Sequence, residues 1–528
     1  MFQHAASYGR LCLLAGFTSA FAALGPCAWA DEQMRLVLSH LPLKTSRAYH
    51  SLMRAAGDPK REILPMTKAE IWLVRADRVA TLRAQAQDAG VGVTAIAEDQ
   101  VDALVPMQSD HMTTKQSEMM KDAMSDRASM GVSMMAAAAP ETLEYALIRA
   151  ADQDGKAPIR IKLSPEKAVV ANRTGLVREG ERYVWQGEIA GTFEPVTLVY
   201  WASGGLSGTV QHAGRIFKVQ PLGDGAIGVI ETAPAMLPPE HAPAPMQQNL
   251  DMQNDPLMMQ GDATPLMNKL VGGESIEHLR DAAPTKMAVA LAPSNITIEP
   301  AGKSTGTQAA TTITLIIAYT RAAARHYADI SKDLITLAVA EANQSFVRSG
   351  IRDVRLEVVH DYEVDYVEQG THFEHMFRFA EKKDGFADEI HALRDKYRAD
   401  VAVMIVSDSN GCGLSAGISP PAERAFAVVH HGCAAATYSL AHEIGHIIGA
   451  RHDTGYDDNA TPFPFGHGYV NGVKWRTMMS YEQSCGGCPR LAIWSNPEIK
   501  FHGDAAGNEL ANNARVIREG AKRVASFR

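Results

Sequence analysis

The stretch that most constrains the fold is Ala441-His-Glu-Ile-Gly-His-Ile-Ile-Gly-Ala-Arg-His-Asp453. His442 and His446 share one side only if the segment is helical, where four residues make about one turn. Glu443 then sits about 100° round the axis from His442, within reach of a water on an ion held by both histidines. Gly449 is placed to end the helix, because glycine adopts left-handed backbone without a Cβ penalty. The turn brings His452 back towards the pair. Three neutral imidazoles leave the fourth position of a tetrahedral zinc ion to water, which marks a catalytic site rather than a structural one. An ordinary amphipathic core helix accounts for Leu440, Ile444 and Ile448 but not for the polar set.

The 528-residue chain is too long for one core. With 46% hydrophobic and 21% charged residues and a net charge of -9, it has the make-up of a water-soluble protein with no basic footprint for nucleic acid. Arg10, the apolar run Leu11–Leu24, Pro26 and Ala28-Trp29-Ala30 read as a signal peptide over residues 1–30. The run is too short for a membrane span, and no later segment reaches the length needed. Export to the periplasm or the extracellular space is expected. Four cysteines remain after the leader, Cys412, Cys433, Cys485 and Cys488. An even number in an exported chain suggests two disulfides in one of three connectivities. Loop length favours Cys412–Cys433 and Cys485–Cys488, with half a zinc site as the rival reading of Cys485-Gly-Gly-Cys488.

Residues 31–106 read as a small α/β unit, with strands at Glu70–Val74 and Val91–Ile96 around an amphipathic helix over Asp77–Gly90. Residues 107–140, rich in Met, Ser and Ala, show no period and read as a mobile connector, with a copper site as the alternative use of the methionines. Residues 141–237 alternate in short strands separated by glycine turns, an antiparallel β-rich unit. A Pro-, Met- and Ala-rich linker spans 238–310. From 311 to 528 strands alternate with helices: Ile313–Tyr319, a long helix over Arg321–Val347, Val354–Val359, a helix marked by Phe386, Ile390, Leu393 and Tyr397, Val401–Val406, and the pair Gly413–Ile418 and Ala425–Val429. This α/β (α+β) pattern predicts a mixed, mostly parallel sheet with an antiparallel edge, carrying the histidine helix.

The extended histidine motif resembles the metzincin zinc endopeptidases. Thr477-Met-Met-Ser-Tyr481 resembles their Met-turn, with Met479 as the methionine beneath the histidines. Asp453, Gly466-His-Gly-Tyr469, Trp494-Ser-Asn-Pro497 and Asn512-Asn-Ala-Arg515 resemble bacterial reprolysin-like (adamalysin-like) and peptidyl-Asp metallopeptidases. Trp185-Gln-Gly187 and Leu237-Pro-Pro-Glu-His241 are similar to the propeptide region of those enzymes. The resemblance implies a proenzyme that hydrolyses protein or peptide substrates with one zinc ion on His442, His446 and His452. Glu443 is the implied general base, and the edge strand Gly413–Ile418 is the implied dock for substrate backbone. Tyr481 departs from reprolysins and matches the tyrosine by which astacin- and serralysin-like enzymes stabilise the oxyanion. No cysteine lies between residues 31 and 411, so a cysteine switch is excluded; Gln260-Gly-Asp262 reads as a solvated loop, with a carboxylate that blocks the zinc as the alternative. No glycine-rich calcium repeats follow the last domain.

Other groups carry weaker signals. His372 with His375, and His430 with His431, read as surface or cap residues. The acidic run Asp361–Asp365 reads as a calcium site or a solvated strand edge. A secreted zinc-containing binding or adhesion protein is the competing function, and Glu443 argues against it, because pure binding needs no base. Oligomeric state leaves no trace in the sequence.

Overall fold

The computed structural model describes residues 33–96, 101–107, 112–149, 158–192, 194–240 and 310–528. The leader at 1–30, nearly all of the linker at 238–310 and Gln260-Gly-Asp262 lie outside the described residues. No helix among the described residues is long and apolar enough to cross a membrane. The chain divides into two compact units, Met1–Glu98 and Asp99–Arg528.

In the first unit β1 (Gln33–Ser39), β2 (Lys60–Ile63), β3 (Glu70–Arg75) and β4 (Gly92–Ile96) form an antiparallel sheet in the order β2-β3-β1-β4. The Arg47–Ala56 and Ala76–Asp88 helices bury Leu52 and Leu82 with Leu36, Leu38, Trp72 and Val74 of the sheet. Ser46 caps the first helix, and Gly57 at φ 75° ends it.

The second unit opens with a ten-stranded sheet. Its strands are β5 (Val101–Asp102), β6 (Leu104–Pro106), β7 (Ser129–Ala137), β8 (Ile159–Lys162), β9 (Ala168–Glu179), β10 (Arg182–Ile189), β11 (Pro195–Trp201), β12 (Leu206–His212), β13 (Arg215–Gly223) and β14 (Ala226–Thr232). The β12–β13 hairpin turns on Ala213 and Gly214 with both φ positive, the backbone a tight two-residue turn demands. The mobile connector expected at 107–140 is corrected here. It contains the Thr114–Ser125 helix, opened by a Thr113–Gln116 capping box, and β7, which pairs with β14. Small Ser, Gly and Ala side chains hid the alternation of this strand. The small unit also ends earlier than expected, because β5 and β6 belong to the larger sheet.

Residues 310–528 carry a five-stranded sheet of β15 (Thr311–Tyr319), β16 (Val354–Glu363), β17 (Val401–Val406), β18 (Gly413–Ser415) and β19 (Phe426–His430), followed by two short two-stranded ribbons. The strands of the sheet lie in the order β16-β15-β17-β19-β18, parallel except for β18, an antiparallel edge on β19. The single helix expected over Arg321–Val347 is broken into Arg321–Ala324 and a run from Ser331 to Arg348. The break is a reciprocal cap. Asp329 Oδ1 accepts from Lys332 N at 3.2 Å, and Asp333 Oδ2 accepts from Asp329 N at 2.9 Å. Phe386 lies outside the Glu389–Tyr397 helix. Val184 of β10 and Val199 of β11 share one apolar core with the Thr336–Arg348 helix and the Ser439–Ile448 helix.

Candidate functional site

The Ser439–Ile448 helix is buried along its whole length and ends at Gly449, whose φ of 129° suits glycine alone. Gly445 is required by packing instead. A Cβ there would stand 2.6 Å from the Trp494 ring and 3.2 Å from Met479 Sδ, so both side chains pass directly under the turn between His442 and His446.

His442, His446 and His452 are buried, and one ligand atom from each lies within 4.8 Å of the others. Among the described residues this is the one cluster of three or more His, Cys, Asp or Glu side chains able to hold a metal. His442 Nδ1 lies 3.1 Å from Met478 O and His446 Nδ1 lies 2.9 Å from Ala450 O. Those carbonyls take the Nδ1 protons and leave the Nε2 lone pairs facing inward, where His442 Nε2 and His452 Nε2 are 3.3 Å apart. Burial pushes His446 down to about 4 and His452 well below the ordinary histidine value, so both rings are neutral, as ligation requires. The donor set fits zinc.

The return loop is held from several sides. Asp453 Oδ2 accepts from Tyr481 N at 2.9 Å, and His467 Nδ1 lies 2.9 Å from His452 O. Asn513 Nδ2 donates to Arg451 O at 3.2 Å, and Ser495 Oγ donates to His467 O at 2.6 Å. The motifs at 466–469, 494–497 and 512–515 thus converge on the backbone that presents His452. The Tyr481 ring lies edge-on to His452, with centroids 4.4 Å apart, and stacks on Tyr456 at 3.8 Å.

Glu443 is buried and points at the sheet edge. A Cβ on Gly413, the first residue of β18, would stand 2.5 Å from Glu443 Oε1. Burial pushes the Glu443 carboxyl up to about 8, opposed by the Arg490 charge and by hydrogen bonds from Ser415. The two disulfides are Cys412–Cys433, which ties the start of the edge strand to the segment before the histidine helix, and Cys485–Cys488. The half-zinc-site reading of Cys485 and Cys488 falls with that bond.

Neither pair, His372 with His375 or His430 with His431, lies at the surface, and His430 takes a cap role, its Nδ1 accepting from Gly432 N at 3.0 Å. His372 Nδ1 lies 2.6 Å from Asp408 Oδ2 and His375 Nδ1 lies 2.7 Å from Tyr366 Oη, with both rings buried. His430 and His431 are buried at the end of β19. In the acidic run, Glu363 pairs with Arg321 and Asp361 accepts from Ser331. Two residues that sequence reasoning missed, Arg476 and Arg490, stand beside the site.

Three converging imidazoles next to a buried carboxylate define a hydrolytic zinc centre. Residues 309–495 match the model of metallo-peptidase family M12, of reprolysin type. The chain is 33% identical over 365 residues to the peptidyl-Asp metalloendopeptidase of Xanthomonas campestris pv. campestris, covering 66% of this chain and 77% of that one. It is likewise 33% identical over 328 residues to that of Stenotrophomonas maltophilia strain R551-3, covering 61% and 68%. A third, from Pseudomonas fragi, is 30% identical over 190 residues, 36% of this chain and 100% of that one. The chain belongs to the reprolysin-like M12 metallopeptidase family and is a zinc metalloendopeptidase.

Proposed function

We propose that this chain is an exported proenzyme whose zinc centre cuts peptide bonds beside an acidic residue, with the β-rich unit as its inhibitory prosegment. The convergence of three Nε2 atoms beside Glu443 and the open sheet edge carries this reading. Zinc, when bound by His442, His446 and His452, supplies a Lewis acid towards water and the scissile carbonyl. Substrate backbone adds to β18 as a further strand. Glu443 takes the proton of the attacking water on its carboxylate and delivers it to the leaving amine. Tyr481, from its place beside His452, donates its phenol proton to the developing oxyanion. Met479 supports the helix below the histidines.

Two observations support the proenzyme reading. The alignment covering 66% of the chain extends beyond residues 310–528 into the β-rich unit. The residues that follow that unit, Pro238–Glu240, reach the catalytic edge, where Cys412 N donates to Pro239 O at 2.8 Å. The relatives' names support acidic selectivity. Glu443→Gln should retain one zinc per chain while turnover falls at least about 100-fold. Full peptide hydrolysis by the zinc-loaded variant contradicts the assignment.

A further inference from the structure

Arg476 and Arg490 are brought side by side by a parallel backbone bridge, sealed by Arg476 N donating to Pro489 O at 3.0 Å and Leu491 N to Arg476 O at 2.8 Å. The Cys485–Cys488 disulfide stands just before Arg490. Arg476 Nη1 donates to Ser480 O at 3.3 Å, and Arg490 Nη1 donates to Thr437 O at 3.0 Å. Their side chains are only 5% and 9% exposed. Two buried cations held side by side repel, and burial followed by the Arg490 charge pushes Arg476 down to about 10. The pair needs an anion.

One carboxylate supplies it. Glu240 Oε1 lies 2.6 Å from Arg476 Nη2 and Oε2 lies 3.0 Å from Arg490 Nη2. The second contact is an ion pair whose angle falls short of a hydrogen bond, and both Nε–H groups lack a partner among the described residues. The receptor therefore has donors to spare. Its occupant comes from the β-rich unit, on the residue next to Pro239, whose carbonyl is bound by Cys412. The next residue, Gly413, packs against Glu443, and the Arg490 charge acts on both Glu443 and His452.

We infer that Arg476 and Arg490 form the subsite that receives the acidic side chain of the substrate, and that Glu240 fills this subsite in the intact chain as an internal substitute for it. The inference rests on the endopeptidase reading and adds to it the residues that select the charge. A carboxylate neutralises both guanidiniums, whereas an isosteric amide leaves buried cations uncompensated. Prosegment and substrate then compete for one charge.

The test uses zinc-loaded enzyme matured from the full chain and two peptides that differ only in Asp against Asn beside the cut bond. The Asp-over-Asn ratio of kcat/KM should fall at least about 10-fold in Arg490→Gln and recover in part in Arg490→Lys. An unchanged ratio in folded Arg490→Gln overturns the inference. A second measurement needs no enzyme variant. The peptide Ala235–Pro243 should inhibit the wild-type enzyme at least about 10-fold more tightly than the same peptide carrying Glu240→Gln. Equal inhibition, or none by either, overturns the role of Glu240. Wild-type enzyme that cuts both substrates equally sinks the subsite alone, whereas zinc-loaded wild type that cuts neither sinks the endopeptidase reading beneath it.

Discussion

Two of the contacts that the β-rich unit makes with the catalytic half differ in character. Along the seam, β10–β12 cover the Ser331–Arg348 helical run with apolar Val184 and Val199 and a row of polar pairs. Arg348 meets Glu188 at 2.8 Å, Thr197 donates to Gln344 at 3.0 Å, Ser207 donates to Asp333 at 3.1 Å and Thr209 donates to Glu341. At the cleft, among the described residues, Pro238–Glu240 make contact through a backbone hydrogen bond and one carboxylate. The seam has a shared apolar core and buried polar pairs to supply affinity. The tail has the chemistry to occupy a subsite. On the proenzyme reading, holding and blocking fall to different parts of one polypeptide, so substitutions in the first should move stability and substitutions at the second should move turnover.

The largest expected effect breaks the seam. Val199→Asp places an unpaired charge in the shared core and should destabilise the full chain by about 3 kcal/mol or more in denaturant unfolding. A loss under about 1 kcal/mol denies that β11 shares that core. At the cleft, Tyr481→Phe should lower kcat by about 100-fold with little change in KM or Tm. A kcat within about twofold of wild type makes Tyr481 a packing residue on Tyr456 and His452.

The smallest effect is a pH dependence of the seam. Burial pushes Glu341 up to about 7 and Asp333 up to about 6, against hydrogen bonds from Thr209 and Ser207 respectively. A carboxyl with a raised folded pKa binds its proton more tightly when folded, so stability declines as pH rises from the ordinary carboxylate range through the folded value. The full chain should lose on the order of 2 kcal/mol between pH 5 and pH 8 from Glu341, and Glu341→Gln should remove most of that slope in Tm. An identical slope in the variant places the titration elsewhere.

How much of this was legible follows from what leaves a period in the sequence. His442, His446, Gly449 and His452 were readable because helical spacing and one glycine conformation dictate their positions. The two disulfides were readable because both pairs are local. The break at Asp329 was hidden because apolar residues continue across it, and only the reciprocal contact with Asp333 ends one helix and starts the next. β7 was hidden by small side chains. Arg476 and Arg490 leave no pattern, and Glu240 was visible only within a propeptide-like motif, because a backbone bridge and a tail from another part of the chain bring the three charges together. His467 and Asn513 were visible only as family motifs, and their hydrogen bonds to the His452 loop supply the physical reason for them.

The central claim is that the β-rich unit must leave before the zinc centre works. N-terminal sequencing of the active species, paired with hydrolysis by the zinc-loaded uncut chain, tests it most directly. The account predicts an active species beginning near residues 290–312 and an uncut chain at least about 100-fold slower. Full activity in a chain that begins at Asp31 and still carries Glu240 against Arg476 and Arg490 would contradict it.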